Sequence, residues 1–149
     1  MKAFRPGNIL KFSGDSRLKP RLIIVCAPSG AGKSTLCAKI VQDYPEIIEN
    51  VSFTTRPKRG QEEDGVDYFF IDQSEFDEKK ARDFFVESAQ VHNHSYGVSQ
   101  AQIETALASG RPIILDIDVQ GAKTLTSMFP DALTIFVLAS IISKVTSKL

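Results

Sequence analysis

The residues with the clearest chemical potential form a glycine-containing stretch near the start of the chain. Residues 27–35 match the pattern G-x-x-x-x-G-K-[ST] at every position except the first, where Ala27 replaces glycine. In such a loop, successive backbone N–H groups point at one cavity beside a helix N-terminus, an arrangement that favours a polyphosphate. We expect Lys33 to bridge the β and γ phosphates and Ser34 to hold Mg²⁺. The predicted phosphate-binding residues are Ala27, Pro28, Ser29, Gly30, Ala31, Gly32, Lys33, Ser34 and Thr35.

The sequence on either side of this loop predicts the strand and the helix that the motif needs. Residues 22–27 form a continuous apolar run rich in β-branched side chains, which is typical of a strand buried in a parallel sheet. A turn that only connects the strand to the helix is the alternative, and Ala27 suits phosphate binding only if its φ angle is negative. The apolar residues that recur at helical spacing before Pro45 are Cys37, Ile40, Val41 and Tyr44.

Two carboxylates follow a second apolar run. Asp116 and Asp118 come directly after Ile113–Leu115, so they are expected at the carboxyl edge of a buried strand, on the same rim as the loop. We predict that one of the two reaches Mg²⁺ through a water molecule; the alternative is a carboxylate that caps the next helix. Residues 118–121 also fit D-x-x-G, but the guanine-reading motif N-K-x-D is absent from the sequence, which argues against a GTPase.

Two arginines lie three residues apart in the middle of the chain. The planar guanidinium groups of Arg56 and Arg59 are suited to clamping a phosphate through paired hydrogen bonds. Tyr68 and Tyr96 offer hydroxyl groups on either side of them. A solvated loop is the alternative for such charges, and the nearby phosphate loop favours a second phosphate site.

Further units of helix and strand define the fold. One helix is predicted to start with Ser99 and Gln102 as a capping box and to end at Gly110. Apolar strands at 112–118 and 133–138 each follow a helix. Helices that alternate with fully apolar strands predict an α/β fold, in which helices cover both faces of a parallel sheet.

The segment 52–98 has a different composition, with paired charges and clustered aromatic residues. Strand candidates at 68–71 and 84–86 flank a short charged helix at 75–82, which predicts a small mixed α+β insertion at the mouth of the sheet. The predicted organisation is an extension at 1–20 and a domain at 21–149, with a core at 21–51 and 99–138, the insertion at 52–98 and a tail at 139–149.

Composition bounds the remaining possibilities. The chain has 149 residues, 42% of them hydrophobic and 24% charged, which fits one globular domain. Its 18 basic residues balance its 18 acidic ones, so net charge gives no reason to expect a nucleic-acid or membrane partner. Residues 1–21 hold six basic residues and one acidic residue, which predicts a flexible basic extension, with a transit peptide as the alternative. No apolar stretch suits a membrane span or a secretory signal, so we expect a cytoplasmic protein.

Other candidate ligands do not form a metal site in the sequence. The two cysteines, Cys26 and Cys37, have no partners at zinc-site spacing and are interpreted as small buried hydrophobes. His92 and His94 flank Asn93 without a third ligand nearby, which favours a polar loop.

Several stretches, in order and at matching spacing, resemble the guanylate kinase family over about residues 21–138. The resemblance implies a P-loop NTPase type of fold and transfer of the γ-phosphoryl group of ATP to GMP, giving ADP and GDP with Mg²⁺. The stretches that carry it are residues 27–35, Val51–Gly60, Asp64–Phe70, Phe85–Glu87, Tyr96–Gly97 and Ile114–Gly121.

The resemblance also implies a role for each site residue. Residues 27–35 would bind ATP, and Glu87 would read the base. A carboxylate can accept hydrogen bonds from both N1–H and N2–H₂ of guanine, whereas adenine presents an acceptor at N1. The GMP phosphate would be held by Arg56, Arg59, Tyr68 and Tyr96; guanine would face Ser52, Glu87 and Asp118; catalysis would use Lys33, Arg56 and Arg59; Ser34 and Asp116 would hold the metal.

The sequence departs from the family pattern at three places. The first is Ala27. The second is Val98, where the family has a Ser or Thr hydroxyl, so that one base contact is lost unless Ser99 substitutes for it. The third is 139–149, which does not match the arginine-bearing lid of the family and predicts a kinase that is cut short. A non-catalytic guanylate-kinase-like binding module is the alternative function.

Overall fold

A computed structural model describes residues 21–28 and 30–138. The predictions for residues 1–20, Ser29 and 139–149 lie outside these described residues. None of the helices in the described ranges is long and apolar enough to cross a membrane. In chain order the elements are β1 (Leu22–Cys26), α1 (Lys33–Asp43), β2 (Ile48–Glu49), β3 (Phe53–Thr54), β4 (Phe69–Phe70), α2 (Gln73–Ala81), β5 (Phe85–Val91), β6 (His94–Ser99), α3 (Gln100–Ser109), β7 (Ile113–Ile117), α4 (Val119–Met128) and β8 (Leu133–Phe136).

Four strands form a parallel sheet in the order β2-β7-β1-β8. Alternate side chains of β1 point to opposite faces, as the pleat of a strand requires. Ile24 packs with apolar residues of α3 and α4 on one face, and Val25 packs with Cys37 of α1 on the other. The predicted α/β fold, with helices on both faces of a parallel sheet, is confirmed.

A second, mixed sheet is formed by strands from residues 53–99, in the order β4-β3-β6-β5. β3 and β4 are parallel, whereas β6 is antiparallel to both β3 and β5. The pairing of β5 with β6 shifts by one residue at Val86, because Phe85 lies opposite Ser99 and Glu87 lies opposite Val98. Such a bulge redirects the side chain that follows it. The division of the chain into a core and an insertion stays a prediction.

Local details differ from several sequence-based expectations. Tyr44 was expected on the apolar face of α1, but it lies past the end of the helix and is 55% exposed. Ser99 precedes α3 without capping it through its side chain, and Gln102 exchanges hydrogen bonds of 3.1 and 2.9 Å with the backbone of Val51 rather than completing a capping box. The strand expected at 133–138 ends at Phe136 and is largely exposed rather than buried.

The hairpin between β5 and β6 was not predicted. His92 and Asn93 form its two-residue turn, with φ angles of 49° and 66°. Both values lie in the left-handed region that short hairpin turns require, and asparagine tolerates this region better than most residues. His92 and Asn93 therefore lie in a turn, as the polar-loop interpretation had it, whereas His94 is the first residue of β6.

The two cysteines are free and buried, as expected. Burial raises the pKa of the Cys37 thiol to about 12, and the negative charges of Asp116 and Glu49 add to the effect. A thiol in this state has almost no thiolate at neutral pH and is unreactive.

Candidate functional site

A cleft of about 660 Å³ lies between the carboxyl ends of β1 and β7 and the second sheet. In an open parallel sheet this edge is the usual place for a ligand. Every candidate site residue among the described residues lines the cleft: Ala27, Pro28, Gly30, Ala31, Gly32, Lys33, Ser34, Thr35, Ser52, Arg56, Arg59, Tyr68, Glu87, Tyr96, Asp116 and Asp118. Their functional roles stay predictions, but their placement in one cavity is a property of the fold.

The loop before α1 leaves backbone donors open to the cleft. Gly30 and Gly32 have φ angles of 79° and 80°, which glycine adopts without strain. Ala27 is not among the positive-φ residues, so the condition placed on its methyl group is met. No side chain caps α1, and its first turn contains no acidic residue. The N–H groups of that turn have no partner within the helix and are available to an anion.

Two other helices, α2 and α4, start with a side-chain cap. Asp72 accepts a hydrogen bond of 2.8 Å from the backbone N–H of Glu75 at the start of α2. Asp118 does the same for Gly121 at 3.0 Å at the start of α4. α1, like α3, starts without a side-chain cap, and at the glycine loop a ligand would supply the acceptors.

Asp116 lies beside the loop and contacts both of its reactive side chains. Lys33 Nζ donates to Asp116 Oδ1, and Ser34 Oγ donates to Asp116 Oδ2 at 2.5 Å. A carboxylate and a hydroxyl are oxygen ligands of the kind that Mg²⁺ prefers. The donor set at this point of the cleft therefore fits the predicted metal site. No group of three or more His, Cys, Asp or Glu side chains that could hold a metal occurs in the described ranges.

Arg56 is held in place by a residue that the sequence analysis missed. Its guanidinium group donates to both carboxylate oxygens of Glu62, at 2.9 and 2.7 Å. Glu62 also accepts a hydrogen bond of 2.7 Å from the backbone N–H of Arg59, so one carboxylate ties the two arginines together. This pairing raises the pKa of Arg56 and lowers that of Glu62. A buried arginine needs a partner, and only six residues separate the two side chains, which is the signal that could have identified Glu62.

Aromatic rings complete the surroundings of Arg56. Its guanidinium carbon lies 5.2 Å from the centre of the Tyr68 ring and 5.7 Å from that of Phe70. The Tyr68 and Tyr96 rings meet edge to face with centroids 6.1 Å apart. Burial raises the pKa of the Tyr68 hydroxyl, which therefore stays protonated and able to donate. Arg56 is 6% exposed, so its orientation is fixed before any ligand binds.

Glu87 and Asp118 bring two carboxyl groups together at the other end of the cleft. The bulge at Val86 precedes Glu87 on β5, and Asp118 lies at the start of α4. Glu87 is 8% exposed. Burial, reinforced by the negative charge of Asp118, raises the pKa of the Glu87 carboxyl to about 7. A carboxyl group with such a pKa must release its proton before both of its oxygens can accept hydrogen bonds from a ligand.

Residues from β6 and from the segment before β3 also border this end of the cleft. Asn50 Nδ2 donates to Ser52 Oγ at 3.0 Å, which leaves the Ser52 hydroxyl hydrogen free to donate elsewhere. Val98 lines the cleft and is buried, whereas Ser99 is buried but does not line it. Ser99 therefore does not replace the hydroxyl that Val98 lacks. His92 and His94 also line the cleft, on the hairpin.

Comparisons with known proteins agree on one family. The family model described as Guanylate kinase matches residues 19–149. The chain is 47% identical over 120 residues to a guanylate kinase of Bdellovibrio bacteriovorus, covering 80% of this chain and 65% of that protein. It is 47% identical over 117 residues to a guanylate kinase of Legionella pneumophila, covering 78% of this chain and 56% of that protein.

A solved structure shows the same fold. The crystal structure of guanylate kinase from Anaplasma phagocytophilum superimposes with a TM-score of 0.69 at 30% identity, covering 78% of this chain and 58% of that chain. The chain thus spans between 56% and 65% of the length of these three relatives.

Proposed function

The chain belongs to the guanylate kinase family, and we propose that it transfers the γ-phosphoryl group of ATP to GMP, giving ADP and GDP. One observation carries the proposal. A glycine loop, two arginines of which Arg56 is held by Glu62, and the carboxyl groups of buried Glu87 and half-buried Asp118 line the same cleft. These three features match the donor phosphates, the acceptor phosphate and the guanine base, in that order. The intact Gly-Lys-Ser-Thr of residues 32–35 favours a kinase over a non-catalytic binding module.

The donor end of the cleft suits a triphosphate. The uncapped first turn of α1 presents N–H groups to the phosphates, and the helix dipole adds a partial positive charge. Lys33, which rests on Asp116 in the structure, would move its ammonium group onto the β and γ phosphates. Ser34 and Asp116 would hold Mg²⁺, which when bound neutralises charge on the phosphates.

The acceptor end suits a nucleoside monophosphate. Arg56 is already oriented by Glu62 and by the Tyr68 ring, so little conformational freedom is lost when it meets a phosphate. Arg59 lines the same part of the cleft on the loop that Glu62 fixes through its backbone. Tyr68 and Tyr96 would donate their hydroxyl hydrogens to the remaining phosphate oxygens.

The base end distinguishes guanine from adenine. Ionised Glu87 would accept from N1–H and N2–H₂ of guanine, while Ser52 and Asp118 complete the polar surroundings. Adenine would place the lone pair of N1 against the carboxylate and leave buried polar atoms without partners. Sites built on hydrogen bonds reject such analogues by large factors.

Catalysis would depend on positioning and charge rather than on covalent chemistry. The two substrates would meet inside one cleft, and the cations at Lys33, Arg56 and Arg59 would oppose the negative charge that develops on the transferred group. Because ATP and GMP are metabolites of the cytoplasm, we also propose a cytoplasmic location.

Two lysines on α1 provide a matched test. Lys33→Ala removes the ammonium group at the loop, and Lys39→Ala removes an exposed lysine that pairs with Asp43 on the same helix. We expect Lys33→Ala to lower GMP-dependent ADP formation by at least 100-fold, on the order of 3 kcal/mol of transition-state stabilisation, and Lys39→Ala to leave it unchanged. Equal activity of the Lys33→Ala variant and the wild-type chain would overturn the assignment of the loop.

A further inference from the structure

Gly121 lies where both carboxyl groups of the base end converge. It is the third residue of α4, it is buried, and its N–H donates to Asp118 Oδ1 at 3.0 Å. A Cβ atom added to it would lie 3.0 Å from both Cδ and Oε2 of Glu87, and 3.1 Å from Asp118 Oδ1. Such distances are shorter than ordinary van der Waals contacts to a methyl group. The space that a side chain would occupy is therefore taken by the carboxyl group of Glu87.

Backbone conformation does not require glycine at this position. Gly121 is helical and is not among the residues with positive φ, in contrast to Gly30 and Gly32 of the loop. Glycine is one of the least favourable residues in a helix, so its presence here costs stability. A close approach of another group is the remaining physical reason for a glycine in such a place.

The contact joins two parts of the cleft. Glu87 comes from β5 of the second sheet, whereas Gly121 and Asp118 come from the helix that follows β7 of the parallel sheet. The Glu87 carboxyl consequently lies against the first turn of α4, beside Asp118 and within the positive end of the helix dipole. A methyl group at residue 121 would displace this carboxyl by a few tenths of an ångström.

We propose that Gly121 is a positioning residue for base choice, whose missing side chain lets the Glu87 carboxyl lie against α4 in the place where it meets guanine. The inference rests on the proposed function, because it concerns how the same site reads GMP. A carboxylate that accepts two hydrogen bonds from one base edge must be placed within about half an ångström. Displacement of Glu87 is therefore expected to weaken the binding of GMP and to leave the phosphate loop in place.

Gly121→Ala separates this role from a structural one. Alanine is the better helix former, so the variant is expected to melt at the same temperature as the wild type or higher. GMP affinity, measured by calorimetry on the full chain, is expected to fall at least tenfold, and the preference for GMP over AMP to narrow. ATP affinity is expected to remain within twofold. Ser127→Ala, on the exposed side of α4, controls for helix propensity and should leave GMP affinity unchanged.

A double mutant tests the contact itself. Glu87→Asp shortens the side chain by one methylene group, which withdraws its carboxylate from the space beside Gly121. On that background Gly121→Ala should change GMP affinity by less than twofold, because no clash remains.

Each outcome decides between explanations. Unchanged GMP affinity in Gly121→Ala, or the same fold loss with and without Glu87→Asp, would overturn the positioning role. A lowered melting temperature with equal losses for GMP and ATP would also overturn it, in favour of a purely structural role. Failure of the wild-type chain to bind GMP would instead overturn the proposed function.

Discussion

Replacing Glu87 with glutamine is expected to stabilise the folded, unliganded chain at high pH and to weaken its binding of GMP. The Glu87 carboxyl titrates near 7 in the folded chain, because it is buried and faces Asp118, against an ordinary value of 4.5. Between these two values the unfolded chain loses its proton and the folded chain keeps it, so folding stability falls as pH rises. Above pH 7 the ionised Glu87 carboxyl lowers the free energy of unfolding by its full amount, on the order of 3 kcal/mol. Glutamine cannot ionise and avoids this cost.

The test is how the difference in unfolding free energy between Glu87→Gln and the wild type changes with pH. Urea unfolding of the wild type and Glu87→Gln should give a free-energy gap of about 1 kcal/mol at pH 5.5 that grows to about 3 kcal/mol at pH 8. Glu78→Gln, at an exposed position of α2, should give no such trend. In the same variant the site has one hydrogen-bond acceptor fewer for GMP, and no negative charge repels AMP. The ratio of GMP affinity to AMP affinity should therefore fall. A gap that stays constant with pH would refute the buried-carboxyl reasoning, and an unchanged preference would remove Glu87 from base reading.

Three further perturbations address other contacts of the cleft. Glu62→Gln should weaken GMP binding about tenfold in calorimetry while leaving ATP affinity unchanged, since Arg56 loses the negative charge of the carboxylate that orients it; equal losses for both ligands would contradict a role confined to the acceptor phosphate. Gly97→Ala should destabilise the chain by about 1–3 kcal/mol in urea unfolding, because its Cβ would lie 2.7 Å from the Phe85 ring; an unchanged midpoint would show that the ring can move aside. Asp118→Asn keeps a helix-capping side chain but removes the charge beside Glu87, so the pKa of that carboxyl, followed by NMR, should fall; an unchanged value would leave burial as its sole cause.

The elements that local patterns define could be predicted from the sequence. The apolar run of β1 and the glycine loop depend on neighbouring residues, so their position and type follow from spacing alone. The same holds for Gly110, which ends α3 in the left-handed conformation. Asp116 and the loop could be placed together because the carboxyl ends of parallel strands share one edge.

Contacts that depend on register and packing could not be predicted in this way. The bulge at Val86 sets where the Glu87 carboxyl lies, and no local pattern marks it. Glu62 was hidden among the acidic residues of its loop, although it holds Arg56. Gly121 fits the D-x-x-G pattern, which does not explain a glycine in this chain. The reason for the glycine is the packing of α4 against Glu87 of β5.

The transfer of phosphate from ATP to GMP is tested most directly by following the γ-phosphoryl group itself. The chain would be mixed with Mg²⁺ and ATP labelled with ³²P in the γ position, with GMP, with AMP, or without an acceptor. We expect the label to appear in GDP when GMP is present, much less label to appear in ADP when AMP replaces GMP, and little inorganic phosphate to be released without an acceptor. Labelled phosphate in place of labelled GDP, or no transfer to GMP by a chain that binds both substrates, would contradict it.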